Sequence, residues 1–156
     1  MKIAEFLSKK AISADVRATK KEDVIKELVD LLVVSEDIEK KHRNKLIEQL
    51  MAREALGSTA IGQGVGIPHA KSECVNKLVS AFGLSVKGVD FDSLDGEKVY
   101  IFFLLIAPID SAGPHLKALA RISRLLKDKY FRDGLRECKD EKSILKIILQ
   151  EDEKKI

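Results

Sequence analysis

One stretch decides the fold of this chain: Val99-Tyr100-Ile101-Phe102-Phe103-Leu104-Leu105-Ile106, which with Ala107 is its longest apolar run. A strand that exposes one face alternates apolar and polar residues, whereas a strand covered on both faces is apolar throughout. The run is about half as long as a membrane helix needs to be. It therefore predicts a central β-strand with helices on both faces of its sheet.

Two further strands are predicted before this run. Residues 78–86 place Leu78, Phe82 and Leu84 on one face and leave the other face small, so a helix can pack closely there. Residues 11–17 alternate weakly and are expected to form an edge strand.

Helices are predicted in the N-terminal part of the chain. Residues 3–8 are expected to form a short opening helix. Thr19 and Glu22 have the spacing of a capping box that opens a second helix, and Asp37 is expected to cap a third. The apolar residues that recur at helical spacing are Val24, Ile25, Leu28, Val29, Leu32, Ile38, Leu46, Ile47, Leu50 and Met51.

Further helices are predicted after a loop over residues 107–113. Pro114 is expected at the first position of a helix, where proline is favoured. Residues 130–138 and 143–149 are expected to form two more helices, the last capped by Asp140. The predicted face of the Pro114 helix consists of Leu116, Leu119, Ile122, Ser123 and Leu126. Because helices are available for both faces of the sheet, an α/β layered sandwich is expected.

The composition is typical of one globular domain. The chain has 156 residues, 45% of them hydrophobic, which is enough for a core without disulfides or metals. Its 28 basic and 25 acidic residues are interspersed and aromatic residues are few, so nucleic-acid binding is not expected. The two cysteines are far apart, and the N-terminus lacks the pattern of a signal peptide. We therefore expect one soluble, cytoplasmic domain over residues 1–156.

A glycine-rich segment precedes a histidine. Residues 57–66 contain four of the nine glycines, and Pro68 and His69 follow. The segment lacks the Gly-Lys pair of a P-loop, and its GxGxG spacing after a helix differs from the dinucleotide-binding GxGxxG after a strand. Nucleotide binding by either motif is not expected. We predict a loop of irregular backbone that holds His69.

His69 has the chemistry of a nucleophile. Glycines let the loop adopt positive φ, and Pro68 fixes its own φ, so the ring can be held in one orientation with one nitrogen exposed. A neutral imidazole can attack phosphorus, and the phosphoramidate that results passes its phosphoryl group on readily. A loop histidine that only forms hydrogen bonds would have the same pattern.

Two other side chains could assist His69. Arg53, at the end of a predicted helix, offers a planar charged fork that suits phosphoryl oxygens. His115 lies in the first turn of the Pro114 helix, where the helix dipole disfavours a protonated imidazole, so a neutral His115 could donate an N–H to a phosphoryl oxygen. The alternatives are a surface ion pair for Arg53 and a capping or packing role for His115.

A metal site is the competing interpretation of the histidines. His42, His69 and His115 show none of the HxH, HExxH or paired-cysteine spacings of zinc sites. Convergence of His69, His115 and Cys74 would still create a zinc site. A metal-dependent hydrolase built on His69 and His115 is the corresponding alternative function.

Two blocks of the sequence resemble a known family. Residues 53–71 contain Arg-Glu, Ser-Thr, glycine-rich spacing and Ile-Pro-His, and residues 104–123 contain Leu-Leu-Ile-Ala-Pro followed by His-Leu-Lys-Ala-Leu-Ala-Arg-Ile-Ser. Both are similar to the marker motifs of enzyme IIA domains of the bacterial phosphoenolpyruvate-dependent sugar phosphotransferase system, of the fructose/mannitol and nitrogen-regulatory class. The resemblance extends from Ile3 to Leu149.

The resemblance implies a fold and a function. The fold is a single-domain, three-layer sandwich of a mixed β-sheet flanked by helices, with no bound cofactor or metal. His69 is implied to accept phosphate from the histidine-containing phosphocarrier protein and to donate it to a cysteine of an enzyme IIB partner. Arg53 and His115 are implied to flank the phosphoryl group, and Ser58 and Thr59 to bind phosphate with them. Association with a membrane transporter would be peripheral at most.

The sequence departs from the family pattern at two positions. Many relatives have glycine where this chain has Ala60, after the Ser-Thr pair, and where it has Pro114, before the second histidine. Both differences concern loop conformation and remove no chemical group.

The expected role is a phosphate relay for sugar uptake. The alternative is a nitrogen-regulatory protein that binds other proteins in a phosphorylation-dependent way.

Overall fold

Residues 1–155, which a computed structural model describes, form a six-stranded mixed β-sheet with helices on both faces. The strands are β1 (Leu7–Ser13), β2 (Ala60–Gly62), β3 (Val65–Gly66), β4 (His69–Lys71), β5 (Val79–Val89) and β6 (Val99–Ala107). The helices are α1 (Lys21–Val34), α2 (Arg43–Ala55), α3 (Ala112–Leu126), α4 (Lys129–Glu137) and α5 (Glu141–Lys154). The predicted α/β class is confirmed.

Strand β6 is the central strand that the sequence predicts. The sheet order is β1-β5-β6-β3-β2, with β4 also paired to β6. β5 runs antiparallel along one edge of β6, whereas β3 and β4 run parallel along the other edge, one after the other. β1 lies at the end of this order, paired with β5, so the predicted edge strand is present, but it spans Leu7–Ser13 and not residues 11–17.

Two apolar cores flank the sheet. Phe102 and Leu104 of β6 pack with residues of α1 and α2, whereas Ile101 and Phe103 pack with residues of α3, α4 and α5. Alternate side chains of one strand thus enter opposite cores, which explains why β6 is apolar throughout. The predicted three-layer sandwich is confirmed. No helix within residues 1–155 has the length and apolar character needed to cross a membrane.

The small face of β5 lets α1 pack closely against the sheet. A Cβ atom added to Gly83 would lie 2.7 Å from Leu28 Cδ2 of α1 and equally close to Val16 Cγ2. Non-bonded carbon atoms pack at about 3.5–4.0 Å, so a larger residue does not fit without movement of its neighbours. The close helix contact predicted for this face is confirmed.

The N-terminal segment differs from the prediction. A 3₁₀ turn over Ile3–Glu5 replaces the helix expected for residues 3–8, and the strand begins at Leu7 instead of residue 11. The segment is too short to nucleate an α-helix by itself. Ser80 of β5 donates its backbone N–H to the Phe6 carbonyl at 3.1 Å, so pairing with the neighbouring strand decides the conformation.

The predicted capping box of α1 is wrong. Lys20, and not Thr19, occupies the cap position, and it makes no side-chain capping bond. A backbone bridge between Lys20 and Asp90 fixes the start of the helix instead. Glu27 of α1 accepts the backbone N–H of Arg17 and so orients the approaching chain. These partners are distant in sequence, which is why local spacing does not reveal them.

The predicted cap at Asp37 is also wrong. α2 begins at Arg43, after a 3₁₀ turn over Lys40–His42. The Asp37 carboxylate accepts hydrogen bonds from the hydroxyls of Ser8 and Ser35. It therefore links β1 to the turn that follows α1.

The glycine-rich segment is more regular than the loop predicted for it. β2 and β3 form a hairpin whose turn residues, Gln63 and Gly64, have positive φ values of 60° and 75°. Two-residue hairpin loops favour this left-handed turn because it matches the twist of the strands. The strands have only three and two residues, too few for a periodic signal in the sequence.

The C-terminal helices lie close to their predicted positions. Asp140 caps α5, as predicted, by accepting a backbone N–H from its first turn at 2.8 Å. α3 begins at Ala112, so Pro114 is its third residue and not its first. Leu116, predicted on the buried face, is 68% exposed. The residues buried on α3 are His115, Ala118, Arg121, Ile122, Leu125 and Leu126.

A buried ion pair joins α3 to α5. The Arg121 guanidinium donates to Asp152 Oδ1 at 2.8 and 2.9 Å, and the two residues are only 8% and 1% exposed. Asp152 Oδ2 also accepts the backbone N–H of Ala4 at 3.1 Å. The pair anchors α3, the helix that carries His115, to α5 and to the N-terminal segment.

Candidate functional site

Strand β4 holds His69. β4 pairs with β6 so that His69 lies opposite Leu105, whose N–H donates to the Pro68 carbonyl at 2.9 Å. Because side chains alternate along a strand, His69 and Lys71 share one face of the sheet, and Ala70 enters the core with α1 and α2 on the other. The predicted irregular loop around His69 is therefore corrected to a short strand, because β6 supplies the pairing.

One hydrogen bond fixes the tautomer of the His69 ring. Nδ1 lies 2.7 Å from the carbonyl oxygen of Ile67, which can only accept, so Nδ1 carries the proton. Nε2 of the neutral ring then keeps its lone pair, and no hydrogen bond from residues 1–155 reaches it. Nε2 is therefore the ring nitrogen that can act as a nucleophile.

The His69 ring is held in its neutral form. Burial lowers the pKa of His69 below its ordinary value of 6.5, because a charged ring loses solvation there. The positive charge of Arg53 lowers this pKa further, against the opposing effects of the Ile67 hydrogen bond and the negative charge of Glu54. At pH 7 the ring is neutral, which is the form that can attack an electrophile.

His115 lies beside His69. The two ring centroids are 5.6 Å apart, in an edge arrangement with an interplanar angle of 68°. His115 is 7% exposed, and its buried Nε2 has no hydrogen-bond partner within the described part of the chain. A buried polar atom without a partner costs free energy, so such an atom in a folded protein points to a role with a ligand.

The surroundings of His115 favour the neutral form of its ring. Burial lowers the pKa of His115, and repulsion from His69, when that ring is protonated, and from the charged Lys71 lowers it further. The residue is the fourth of α3, and its backbone N–H donates to the Ser111 carbonyl at 2.9 Å. Burial is the largest cause of this lowered pKa.

Arg53 lies in the last turn of α2, as predicted. Its Nη1 donates to the Gly57 carbonyl at 2.8 Å. Among residues 1–155, no carboxylate forms an ion pair with it, so the surface ion pair considered as an alternative is not formed. Its positive charge lowers the pKa of His69.

Ser58 and Thr59 make their contacts within the protein. Ser58 Oγ donates to the Phe91 carbonyl at 2.7 Å, and Thr59 Oγ1 donates to the Glu54 carboxylate. Both hydroxyl protons are thus used to hold the segment that follows α2. No described contact joins either side chain to a histidine ring.

Glu54 is a buried residue to which the sequence analysis assigns no role. It is 5% exposed, and its carboxylate contacts Thr59 and lies 3.2 Å from Lys21 Nζ of α1. The sequence signal for the burial of Glu54 is its helical spacing from the apolar residues of α2. Glu54 follows the buried Leu50 by four residues and Ile47 by seven, which places it on the same buried face.

The described residues offer no third metal ligand beside the two histidines. Within residues 1–155, no group of three His, Cys, Asp or Glu side chains is placed to hold a metal ion, and Cys74 packs against the core with α1 and α2. The two neutral imidazoles and Arg53 together supply a nucleophile, a hydrogen-bond donor and a positive charge. These are groups that phosphoryl transfer uses.

Known proteins with similar sequences and structures exist. The family model described as phosphoenolpyruvate-dependent sugar phosphotransferase system, EIIA 2, matches residues 5–151. The PTS system fructose-specific EIIABC component of Bacillus subtilis is 39% identical over 97% of this chain, which spans 24% of that protein. A nitrogen regulatory protein of Bradyrhizobium diazoefficiens is 34% identical over 95% of both chains. The crystal structure of nitrogen regulatory protein IIA-Ntr from Neisseria meningitidis superposes with a TM-score of 0.83, at 31% identity, over 94% of this chain and 98% of that one.

Proposed function

This chain belongs to the EIIA type 2 family of the phosphoenolpyruvate-dependent sugar phosphotransferase system, and we propose that it carries a phosphoryl group on Nε2 of His69. One observation carries the proposal: the ring of His69, whose Nε2 is available for chemistry, lies beside the ring of His115, whose buried Nε2 needs a hydrogen-bond partner. His69 Nε2 keeps its lone pair because Nδ1 is bonded to Ile67, and the buried Nε2 of the adjacent His115 has no partner among residues 1–155. A phosphoryl group on His69 would give His115 that partner.

The proposed reaction is a displacement at phosphorus. The His69 Nε2 lone pair forms the new N–P bond, while the bond between phosphorus and the histidine of the donor protein breaks and leaves its electron pair on the donor nitrogen. Nδ1 of His69 keeps its proton, so the phosphorylated ring is cationic, and the Ile67 carbonyl accepts a charge-assisted hydrogen bond from it. In the second step a thiolate attacks phosphorus, the N–P bond breaks, and the neutral ring returns.

Arg53 and His115 are proposed to stabilise the group in transfer. Phosphoryl transfer leaves little covalent work for neighbouring residues, which act mainly by placing charge and hydrogen bonds. Arg53 contributes the positive charge and neutral His115 one N–H. For Ser58 and Thr59, predicted to bind phosphate, we propose a supporting role through their bonds to Phe91 and Glu54.

Mapping the phosphate tests this assignment. The protein is incubated with phosphoenolpyruvate and the general phosphotransferase proteins, and the acid-labile phosphate is located by phosphorus and nitrogen NMR. We expect it on Nε2 of His69, lost in His69→Ala and kept in the control His42→Ala. Phosphate on His115 or His42 with His69 unmodified would overturn the assignment.

The proposed donor is the histidine-containing phosphocarrier protein, and the proposed acceptor is a cysteine of an enzyme IIB partner. The name of the B. subtilis relative, a fructose-specific EIIABC component, supports a role in sugar uptake of the fructose/mannitol type. In this role the protein works in the cytoplasm, needs no cofactor, and meets a membrane transporter only peripherally.

A regulatory role is the second candidate, and the names of two other relatives support it. The nitrogen regulatory protein of B. diazoefficiens matches over 95% of both chains, and IIA-Ntr matches over 98% of its own chain. In this role the same phosphohistidine would control binding to another protein. Mixing the phosphorylated protein with a purified fructose-type IIB domain separates the two roles. Rapid transfer to the IIB cysteine supports sugar uptake, and retention on His69 supports regulation.

A further inference from the structure

We propose that Glu54 is a positioning residue for His69 that acts through Thr59 and Ile67, an inference that rests on the proposed function. A continuous path joins the Glu54 carboxylate to the ring. The carboxylate binds Thr59, the Thr59 carbonyl accepts the Ile67 N–H, and the Ile67 carbonyl accepts the proton of His69 Nδ1. Glu54 thus reaches the reacting ring without contacting the substrate.

The far end of this path is fixed by a buried charge. Glu54 is 5% exposed, and an ionised carboxylate removed from water must be compensated by hydrogen bonds or opposite charge. The Thr59 N–H donates to Glu54 Oε1 at 3.2 Å, the Thr59 hydroxyl donates to Oε2, and Lys21 Nζ lies 3.2 Å from Oε1. Thr59 is therefore held by both its backbone and its side chain.

The middle of the path passes through Ile67. Its N–H donates to the Thr59 carbonyl at 3.4 Å, and its own carbonyl lies 2.7 Å from His69 Nδ1. Pro68 restricts the backbone of the residue before it to extended conformations. A displacement of Thr59 is therefore passed on to the carbonyl that orients the ring.

Lys21 links Glu54 to a second support of the same segment. Besides Glu54, Lys21 Nζ pairs with Asp92 Oδ2 at 3.3 Å and lies 5.0 Å from the centre of the Phe91 ring. The Phe91 carbonyl in turn accepts the Ser58 hydroxyl at 2.7 Å. Both members of the Ser-Thr pair are thus held by groups connected through Lys21, which explains why neither hydroxyl is free.

Glu54→Gln tests the proposal, with Glu48→Gln as the control on the exposed face of the same helix. Two quantities are measured: single-turnover phosphate acceptance at saturating phosphorylated phosphocarrier protein, and the ring nitrogen chemical shifts of unphosphorylated His69. A misplacement of about 1 Å can cost a hundredfold in rate, so we expect Glu54→Gln to slow acceptance by about ten- to a hundredfold. We also expect a second tautomer, with the proton on Nε2, to appear. Glu48→Gln should match the wild type in both measurements.

Two Thr59 variants separate positioning from the loss of a charge. Thr59→Val removes the hydroxyl contact with Glu54 without changing any charge, and it should reproduce both effects in weaker form. Thr59→Ser keeps the hydroxyl, so its rate and its ring shifts should be those of the wild type. If Glu54→Gln does not fold, the comparison of Thr59→Val with Thr59→Ser tests the proposal by itself. A folded Glu54→Gln or Thr59→Val protein with wild-type rate and wild-type ring shifts would overturn the proposal.

The ring shifts separate this proposal from the proposed function, because they need no phosphate. Suppose that the wild-type protein accepts no phosphate, but the ring nitrogen shifts of His69 still change in Glu54→Gln and Thr59→Val. That result would support the positioning role of Glu54 and contradict the proposed function. Normal phosphorylation of His69 with unchanged ring shifts in Glu54→Gln would contradict the positioning alone.

Discussion

The Nδ1 atom of His69 lies 2.7 Å from the carbonyl oxygen of Ile67, and this contact gives the two ring nitrogens different tasks. Nδ1 is bound to the protein, and Nε2 is available for chemistry. The neighbouring ring of His115, with its centroid 5.6 Å away, is buried, and no group in the described residues 1–155 bonds its own Nε2. Variants of the two histidines should therefore have different effects.

Replacing His115 should slow the reaction without abolishing it. His115→Ala loses one hydrogen bond to a charged group, worth about 1.5–3 kcal/mol. If that bond forms fully in the transition state, acceptance and onward transfer fall by roughly ten- to a hundredfold. His115→Gln should keep part of the activity, because its amide can donate, whereas His69→Ala should accept no phosphate. Single-turnover rates on variants with native circular dichroism measure this, and wild-type rates in His115→Ala would show that the ring only packs.

Replacing Arg53 should affect both the rate and the titration of His69. Arg53→Lys keeps the charge and loses the planar fork, so it should slow transfer less than Arg53→Ala. The charge of Arg53 lowers the pKa of His69, so Arg53→Ala should raise that pKa relative to the wild type. Both variants should fold, since the one hydrogen bond that the Arg53 side chain makes within residues 1–155 is to the backbone of Gly57. Unchanged transfer and an unchanged NMR titration in Arg53→Ala would place the residue outside the site.

Phosphate acceptance should depend on pH only on the acid side. The neutral ring is the nucleophile, and burial lowers the pKa of His69 below 6.5. Protonation removes the nucleophile, so the rate should fall as the pH drops through the lowered pKa of His69, with the midpoint of the fall below pH 6.5. The measurement pairs acceptance rates from a pre-phosphorylated donor with an NMR titration of the ring. A rate already at half its maximum above pH 6.5 would contradict the neutral assignment.

Gly83→Ala should destabilise the protein. The added Cβ would lie 2.7 Å from side-chain atoms of Leu28 and Val16, and overpacking of this kind costs about 1–3 kcal/mol. Gly134→Ala is the control, because its Cβ would lie 3.9 Å from Ile147 in ordinary contact, and alanine favours a helix by roughly 1 kcal/mol. Urea unfolding compares the two free energies of unfolding. Equal stability of the two variants would show that α1 can move away from β5.

The sequence predicts those parts of the fold whose signal is local and repeated. β6 is apolar on both faces, and Asp140 lies where a helix cap is expected, so both are found in the structure. The caps predicted at Thr19 and Asp37 are wrong because contacts distant in sequence compete with them. Asp37 bonds Ser8, for example, and no spacing rule connects these residues.

The candidate site could be predicted as a set of residues but not as an arrangement. His69, Arg53 and His115 lie on β4, α2 and α3, and only the fold brings the two rings to 5.6 Å. The buried position of Glu54 follows from its helical spacing to Leu50. Its partner Lys21 does not follow, because it comes from the start of another helix.

Strand β6 pairs with β5 along one edge and with β3 and β4 along the other. A single inserted or deleted residue within β6 would shift its register against all three strands and turn the later side chains toward the wrong core. The segment between β5 and β6 is different, because residues 92–98 are mostly exposed and can change in length without such a shift. Over evolutionary time, length changes in this lineage should therefore accumulate in that segment and be removed from β6, a strand that holds no reacting group itself.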